Sequence, residues 1–427
     1  MKPRELSARE LAKRVREREL TALEVVEDHL AAIRELDERV AAWQVIDEDF
    51  ARRQAREFDA GPRSGLLPGV PLGVKDIFDT ADLPTEYGSP IYKAHRPAWD
   101  AAVIAAAHSA GAIVLGKTVT TEFATMVPAR TMHPRDPRRT PGGSSSGSAA
   151  AVAAGMVPLA YGTQTVGSTI RPAAYCGVVG FKPSYGFLSR TGMKMGAESL
   201  DTVGLIARSV GDAALFAAAC ALRPELAYVA AIDRPRLGVC CSPNWSHMSR
   251  EGARHFERVV DQLEKQGASV LVADLPESFA KLDSAAQTIL NYEMARGLAH
   301  ELVKHRSKVS PMLTERADIG ARIAYREYAA ALQYAAECRQ RFAEHAEELD
   351  AIVTPSATGE APLGLESTGD TAMNRLWTLL HGPCVTVPAG DGPAGLPLGV
   401  QLVRPYGGDR ADAHLLAVAL WVERHAR

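Results

Sequence analysis

Three things are missing from this 427-residue sequence, and each absence narrows its function. It has no excess of one charge: 48 Lys and Arg stand against 51 Asp and Glu, a formal net charge of −3. A chain so balanced builds no strong polyanion-binding field, so nucleic acid is not expected as a main partner. It has no uncharged apolar run of the roughly 18 residues that a membrane span needs. The longest apolar region, Ala101 to Leu115, is Ala-rich and too short. Cysteine is sparse and scattered, at 176, 220, 240, 241, 338 and 384, with no C-x-x-C pair and no metal-ligand spacing with histidine. Neither a disulfide framework nor a metal site is expected, and free thiols suit a reducing cytoplasm. The opening residues Met1-Lys2-Pro3-Arg4-Glu5-Leu6 are charged and lack the apolar region of a secretory signal, which also favours a cytoplasmic location.

What is present is ordinary globular material, 46% hydrophobic and 23% charged, enough for a sizeable core. Residues 1–60 read as a helical arm. Ser7 to Glu10 and Thr21 to Glu24 are capping-box patterns, and Leu23, Val26, Leu30, Ile33 and Leu36 follow at helical spacing. Such an arm suits packing or a homodimer contact. Residues 61–212 alternate short apolar strands with Ala-rich helices. Residues 213–345 are richer in long charged helix, and 346–427 return to strands around an apolar helix at Met373 to Leu380. No repeat or low-complexity linker divides the chain. This alternation predicts one α/β domain, with a mixed, mostly parallel central sheet covered by helices on both faces and the late strands rejoining the early ones.

The unusual segment runs from 141 to 186. Pro141-Gly142-Gly143-Ser144-Ser145-Ser146-Gly147-Ser148 precedes one helix–strand unit, and Gly162-Thr163-Gln164-Thr165-Val166-Gly167-Ser168-Thr169-Ile170-Arg171-Pro172 follows it. A glycine-rich loop before a helix can hold phosphate. However, no lysine follows these glycines as in a Walker A loop, and neither loop has the dinucleotide pattern. The other chemistry that the residues offer is nucleophilic catalysis. A serine needs a neighbour to take its proton, a desolvated lysine can be that base, and a second serine can carry the proton between them. Lys75, at the end of the short strand that begins at Gly69, could supply the base. The residues by themselves also permit plain turns and a surface lysine.

The run from Pro141 to Gly186 resembles the signature of the amidase signature family. So do Gly73-Val74-Lys75-Asp76, Cys176 to Gly186, Ser199-Leu200-Asp201 and Val387-Pro388-Ala389-Gly390. The resemblance implies a Ser–Ser–Lys triad without histidine. Ser168 is then the nucleophile, Ser144, after a cis peptide bond, the bridging serine, and Lys75 the base. The backbone N–H groups of Thr165, Val166, Gly167 and Ser168 form the oxyanion hole. It implies hydrolysis of a small-molecule amide through an acyl-enzyme, with no metal and no organic cofactor. Met126 and Trp377 shape the pocket beside Gly143, Thr163 and Gln164, although core packing suits Trp377 equally well, and variable segments around 125–137 and 280–330 set which acyl group is admitted. His133 and His381 become bystanders. The alternative within the family is an amidotransferase A-type subunit that releases ammonia from glutamine inside a complex.

The sequence also departs from the family pattern. Gln164 and Val166 stand where an aspartate and a glycine are common, and Arg171 follows the nucleophile by three places instead of two. A glycine-like backbone at Val166 would be strained. The arrangement is similar to malonamidase-like members, in which the matching arginine pairs with a substrate carboxylate. Arg171 is therefore read either as a carboxylate binder or as a structural anchor for the loop.

Overall fold

A computed structural model describes residues 2–241 and 243–426. One 11-stranded sheet runs through it. Its strands are β1 (Trp43–Ile46), β2 (Pro71–Lys75), β3 (Ile113–Thr118), β4 (Leu159–Gln164), β5 (Val179–Lys182) and β6 (Thr202–Ala207). They are followed by β7 (Arg236–Val239), β8 (Ser269–Val272), β9 (Ala351–Pro355), β10 (Cys384–Asp391) and β11 (Pro397–Val403). The order across the sheet is β1-β3-β2-β4-β6-β5-β10-β11-β9-β7-β8. The late strands do rejoin the early ones, where Cys384 of β10 pairs antiparallel with Lys182 of β5.

The sheet is mixed, but its antiparallel neighbours outnumber its parallel ones. Only β2–β3, β2–β4, β7–β8 and β7–β9 run parallel. The expectation of a mostly parallel sheet fails because β5 and β6, absent from the expected strands, add three antiparallel pairs. Both are short and buried on both faces, so neither shows the polar alternation that marks a strand. β1 falls within the residues that read as a helical arm; it lies at the sheet edge against β3.

The arm behaves otherwise as its caps suggest. Ser7 accepts the N–H of Glu10, and Thr21 and Glu24 form a complete capping box at the start of helix Ala22–Val40. The apolar stripe is spent on the chain's own core, with Val26 and Leu30 buried there, so it gives no ground for a homodimer.

Adjacent residues of β4 show how helices cover both faces. Tyr161 packs edge-on against Phe216 of helix Val210–Cys220, their ring centroids 4.6 Å apart. A Cβ on Gly162 would instead meet Ser145 Oγ at 2.9 Å, on the side of helix Ser146–Ala153. That second helix is alanine, glycine and serine almost throughout because it runs very close to its neighbours. A Cβ on Gly147 would lie 2.2 Å from the carbonyl oxygen of Ala42. β2 and β4 are parallel, so their carboxyl ends, Lys75 and Gln164, open on the same edge. In open α/β sheets ligands bind outside such ends.

Candidate active site

Lys75 is the last residue of β2 and is fully buried. Its Nζ lies 2.6 Å from Thr163 Oγ1, 2.8 Å from Ser144 Oγ and 3.1 Å from Ser145 Oγ. Burial drives its pKa well below the ordinary lysine value, and the charge of Asp201 works in the opposite direction. A neutral amine has two N–H donors and one lone pair, so one of these three hydroxyls must donate to it. Ser145 is already engaged, accepting from Thr163 N at 3.1 Å and donating to Thr163 O at 3.3 Å. The donor to the lone pair is therefore Ser144 or Thr163. The Gly143–Ser144 peptide is cis.

The second loop is short, because β4 runs to Gln164 and helix Ile170–Cys176 starts soon after. The backbone carbonyl of Ser168 accepts the N–H of Ser145 at 3.2 Å, which ties the two serine loops together. Ser168 lines a cavity of about 300 Å³; Ser144 does not. No acceptor among the described residues takes the N–H groups of Thr165, Val166, Gly167 and Ser168, so all four remain available as donors. The left-handed backbone needed here falls on Gly167, at φ 121°, and Val166 is spared it. A Cβ on Gly167 would lie 2.6 Å from Asn374 Oδ1, so the position admits only glycine. Ser168 Oγ makes no hydrogen bond among the described residues.

Three of the expected substrate contacts lie off the cavity wall. Gln164 does not reach the cavity. Its Oε1 accepts the N–H groups of Thr169 and Ile170, both at 3.0 Å, and its Nε2 donates to Thr378 Oγ1. A glutamine here pins the loop from behind. Trp377 is buried against Phe342, with ring centroids 5.7 Å apart, and is core. Gly143 turns its carbonyl to Arg171 and is not on the cavity wall, whereas Met126 and Thr163 are. His133 bonds the Tyr175 carbonyl and His381 that of Ser199, away from the cavity. Burial, with Arg339 nearby, lowers the pKa of His381 to about 3.

Arg171 anchors the loop and keeps one donor unspent. Its Nε donates to Thr368 O at 2.8 Å and its Nη2 to Gly143 O at 2.7 Å, which fastens the segment around 368 to the first serine loop. Its Nη1 is buried without an acceptor among the described residues, and the residue lines the cavity. A guanidinium with one edge spent on backbone and one nitrogen unspent can still take an anion.

Asp201 was visible only as part of a motif. Its carboxylate accepts Thr165 Oγ1 at 2.5 Å and the N–H groups of Gly196 and Ala197 at 2.8 and 3.0 Å, beside the cavity. Its negative charge favours the ammonium form of Lys75. Asp201→Asn keeps an acceptor for the loop and removes that charge, so Lys75 should stay neutral to lower pH. The acid limb of kcat/KM is then expected to move down in pH. A limb that does not move would mean that the charge of Asp201 has no influence on the catalytic proton.

The amidase family model matches residues 24–411, and the chain belongs to the amidase family. The glutamyl-tRNA(Gln) amidotransferase A subunit of Streptomyces coelicolor (strain ATCC BAA-471 / A3(2) / M145) is 32% identical, over 94% of this chain and 92% of that protein. Its counterpart in Anaeromyxobacter sp. (strain K) is 50% identical over a shorter stretch, 39% of this chain and 36% of its own length. Among solved structures, an amidase superposes with a TM-score of 0.89 at 28% identity, covering 98% of this chain and 99% of its own. The peptide amidase of Stenotrophomonas maltophilia superposes with a TM-score of 0.82 at 29% identity, covering 99% and 97%. No helix among the described residues is long and apolar enough to cross a membrane, and no group of them could hold a metal ion.

Proposed function

We propose that the protein hydrolyses the C–N bond of a small carboxylic amide, using Ser168 as nucleophile, Ser144 as relay and Lys75 as base. The observation that carries this reading is a fully buried lysine, held towards its neutral form, 2.8 Å from a serine hydroxyl beside the cavity that holds a second serine. Ser168 Oγ attacks the carbonyl carbon while its proton passes to Ser144 Oγ and the Ser144 proton to Lys75 Nζ. The carbonyl oxygen, now an anion, rests on the free N–H groups of the loop from Thr165 to Ser168. When the C–N bond breaks, the nitrogen takes the proton back along the same path and leaves as ammonia or an amine. Water then attacks the acyl-Ser168 ester and gives a proton to the relay; the acyl C–Oγ bond breaks, Ser168 Oγ takes that proton back, and the acid leaves.

The substrate is an amide that also bears an acid group. Arg171 supports this: the residue lines the cavity, and its buried Nη1 has no acceptor among the described residues. The expected result is ammonia release by the purified chain from acid amides such as malonamate in preference to neutral amides of equal size. Arg171→Gln should raise KM for the acid amide by about tenfold or more, the value of a charge-assisted hydrogen bond. It should change KM for the neutral isostere much less. Equal losses on both would make Arg171 an anchor only.

A second reading is an amidotransferase A-type subunit, favoured by the similarity to glutamyl-tRNA(Gln) amidotransferase A subunits over most of the chain. On that reading the lone chain is idle on acid and neutral amides alike, and glutamine is hydrolysed only once partner subunits are added.

A further inference from the structure

Part of the cavity wall comes from the helix-rich stretch, through helices Leu282–Gly297 and Pro311–Arg322. The second presents Met312, Leu313 and Arg316 to the cavity, Arg316 one turn after Met312 and so on the same face. Most other charges on this wall are answered. Lys194 bonds Glu301 at 2.5 Å, Asp201 takes three donors, and Asp370 takes His247 Nδ1 at 2.8 Å and the N–H of Ala372. Glu366 is exposed at the rim, where water solvates it. Arg171 keeps one nitrogen open. Arg316 is half-buried and has no carboxylate, carbonyl or hydroxyl partner among the described residues. Its neighbouring cation, Arg375, is neutralised by Asp283 at 2.6 Å.

A guanidinium kept partly out of water without a partner costs stability. Here it also faces the one cavity that contains Ser168. Arg171 enters the cavity from helix Ile170–Cys176, three residues after Ser168, whereas Arg316 enters it from helix Pro311–Arg322 in the helix-rich stretch. Met126, Met193, Met294 and Met312 line the same cavity. Thioether chains of this kind make an apolar surface that adapts to a flexible ligand.

We infer that Arg316 is a distal anion reader: it takes an acid group at the far end of an aliphatic chain whose amide lies at Ser168. The ligand class is the monoamide of a linear dicarboxylic acid, with a short chain placing its acid at Arg171 and a longer one at Arg316. This rests on the amide hydrolysis proposed above.

The test measures kcat and KM for the monoamides of the three- to eight-carbon dicarboxylic acids, and for neutral amides of matching length. In Arg316→Gln, KM for the longest monoamides should rise by about tenfold or more with kcat nearly unchanged. The shortest monoamide and the neutral amides should be unaffected, and Arg316→Lys should recover part of the loss. A KM that rises equally for neutral amides, or for none, overturns the assignment. Calorimetric binding of the eight-carbon dicarboxylate separates the two proposals. If no amide is hydrolysed but this diacid binds about tenfold more weakly to Arg316→Gln, the hydrolysis fails and the anion site stands. If amides are hydrolysed and the diacid binds both proteins alike, the anion site fails alone.

Discussion

Alanine at position 168 is expected to cost the purified protein its amide hydrolysis, by on the order of 10⁴-fold or more in kcat, with the fold intact. The size of the loss follows from what Ser168 would supply. Without a nucleophile, the relay and the N–H donors can only assist direct attack by water, which recovers a small residue of the rate. The fold should survive because Ser168 Oγ holds nothing in place: it makes no hydrogen bond among the described residues, and alanine fills nearly the same space. A melting temperature within about a degree of wild type would separate lost chemistry from lost structure.

The same experiment answers a sharper rival. Lysine can activate a serine directly, without a relay, and of the two serines in contact with Lys75 Nζ, Ser144 is the nearer, at 2.8 Å. On contact alone Ser144 would be the nucleophile. Two features favour Ser168. It is on the cavity wall while Ser144 is sealed behind it, and its own loop carries the four unused N–H donors that an oxyanion requires. A fluorophosphonate should therefore form its phosphonyl ester on Ser168, located by mass spectrometry of the digested protein, and should leave Ser168→Ala unlabelled. An adduct on Ser144 would reverse the assignment.

How far the sequence could be read depends on how local each feature is. Lys75 and Ser144 stand in compact motifs whose backbone is set by neighbouring residues, and the two do meet. Gln164 shows the limit. A motif position implies that a side chain is near the chemistry, but not which way it points, and this one turns inward to hold the N–H groups of Thr169 and Ile170. Val166 raised a concern about strain that the adjacent glycine absorbs. Arg171 shows its anchoring bonds to Thr368 and Gly143, and an Nη1 with no acceptor among the described residues, only once segments as much as 197 residues apart are brought together. Arg316 carried no local sign at all. It is one of two arginines on a charged helix, and only its place on the wall of the cavity that holds Ser168 distinguishes it.

Lys75→Met should remove activity as severely as the loss of Ser168, and should also change how stability depends on pH. In the unfolded chain Lys75 binds its proton up to its ordinary value of 10.5, whereas in the native protein burial keeps the amine neutral to much lower pH. Between those two values the unfolded state holds the extra proton, so wild-type stability rises with pH, by up to about 1.4 kcal/mol per unit. Below the native value both states are protonated, and the whole penalty of a buried charge applies. Methionine has no proton to bind, so the variant loses this slope. Its cost is of a different kind: the hydroxyls of Ser144 and Thr163 lose a partner, at about 1–3 kcal/mol each, whatever the pH. That cost shifts one curve against the other without tilting it. The relative tilt is therefore the measurement. Melting temperatures of the two proteins should differ most in the variant's favour at low pH and move towards the wild type as pH approaches 10. Parallel curves would mean that Lys75 keeps its proton in the native state. A lysine that is already protonated cannot accept one from Ser144, so the base and the relay would fall together.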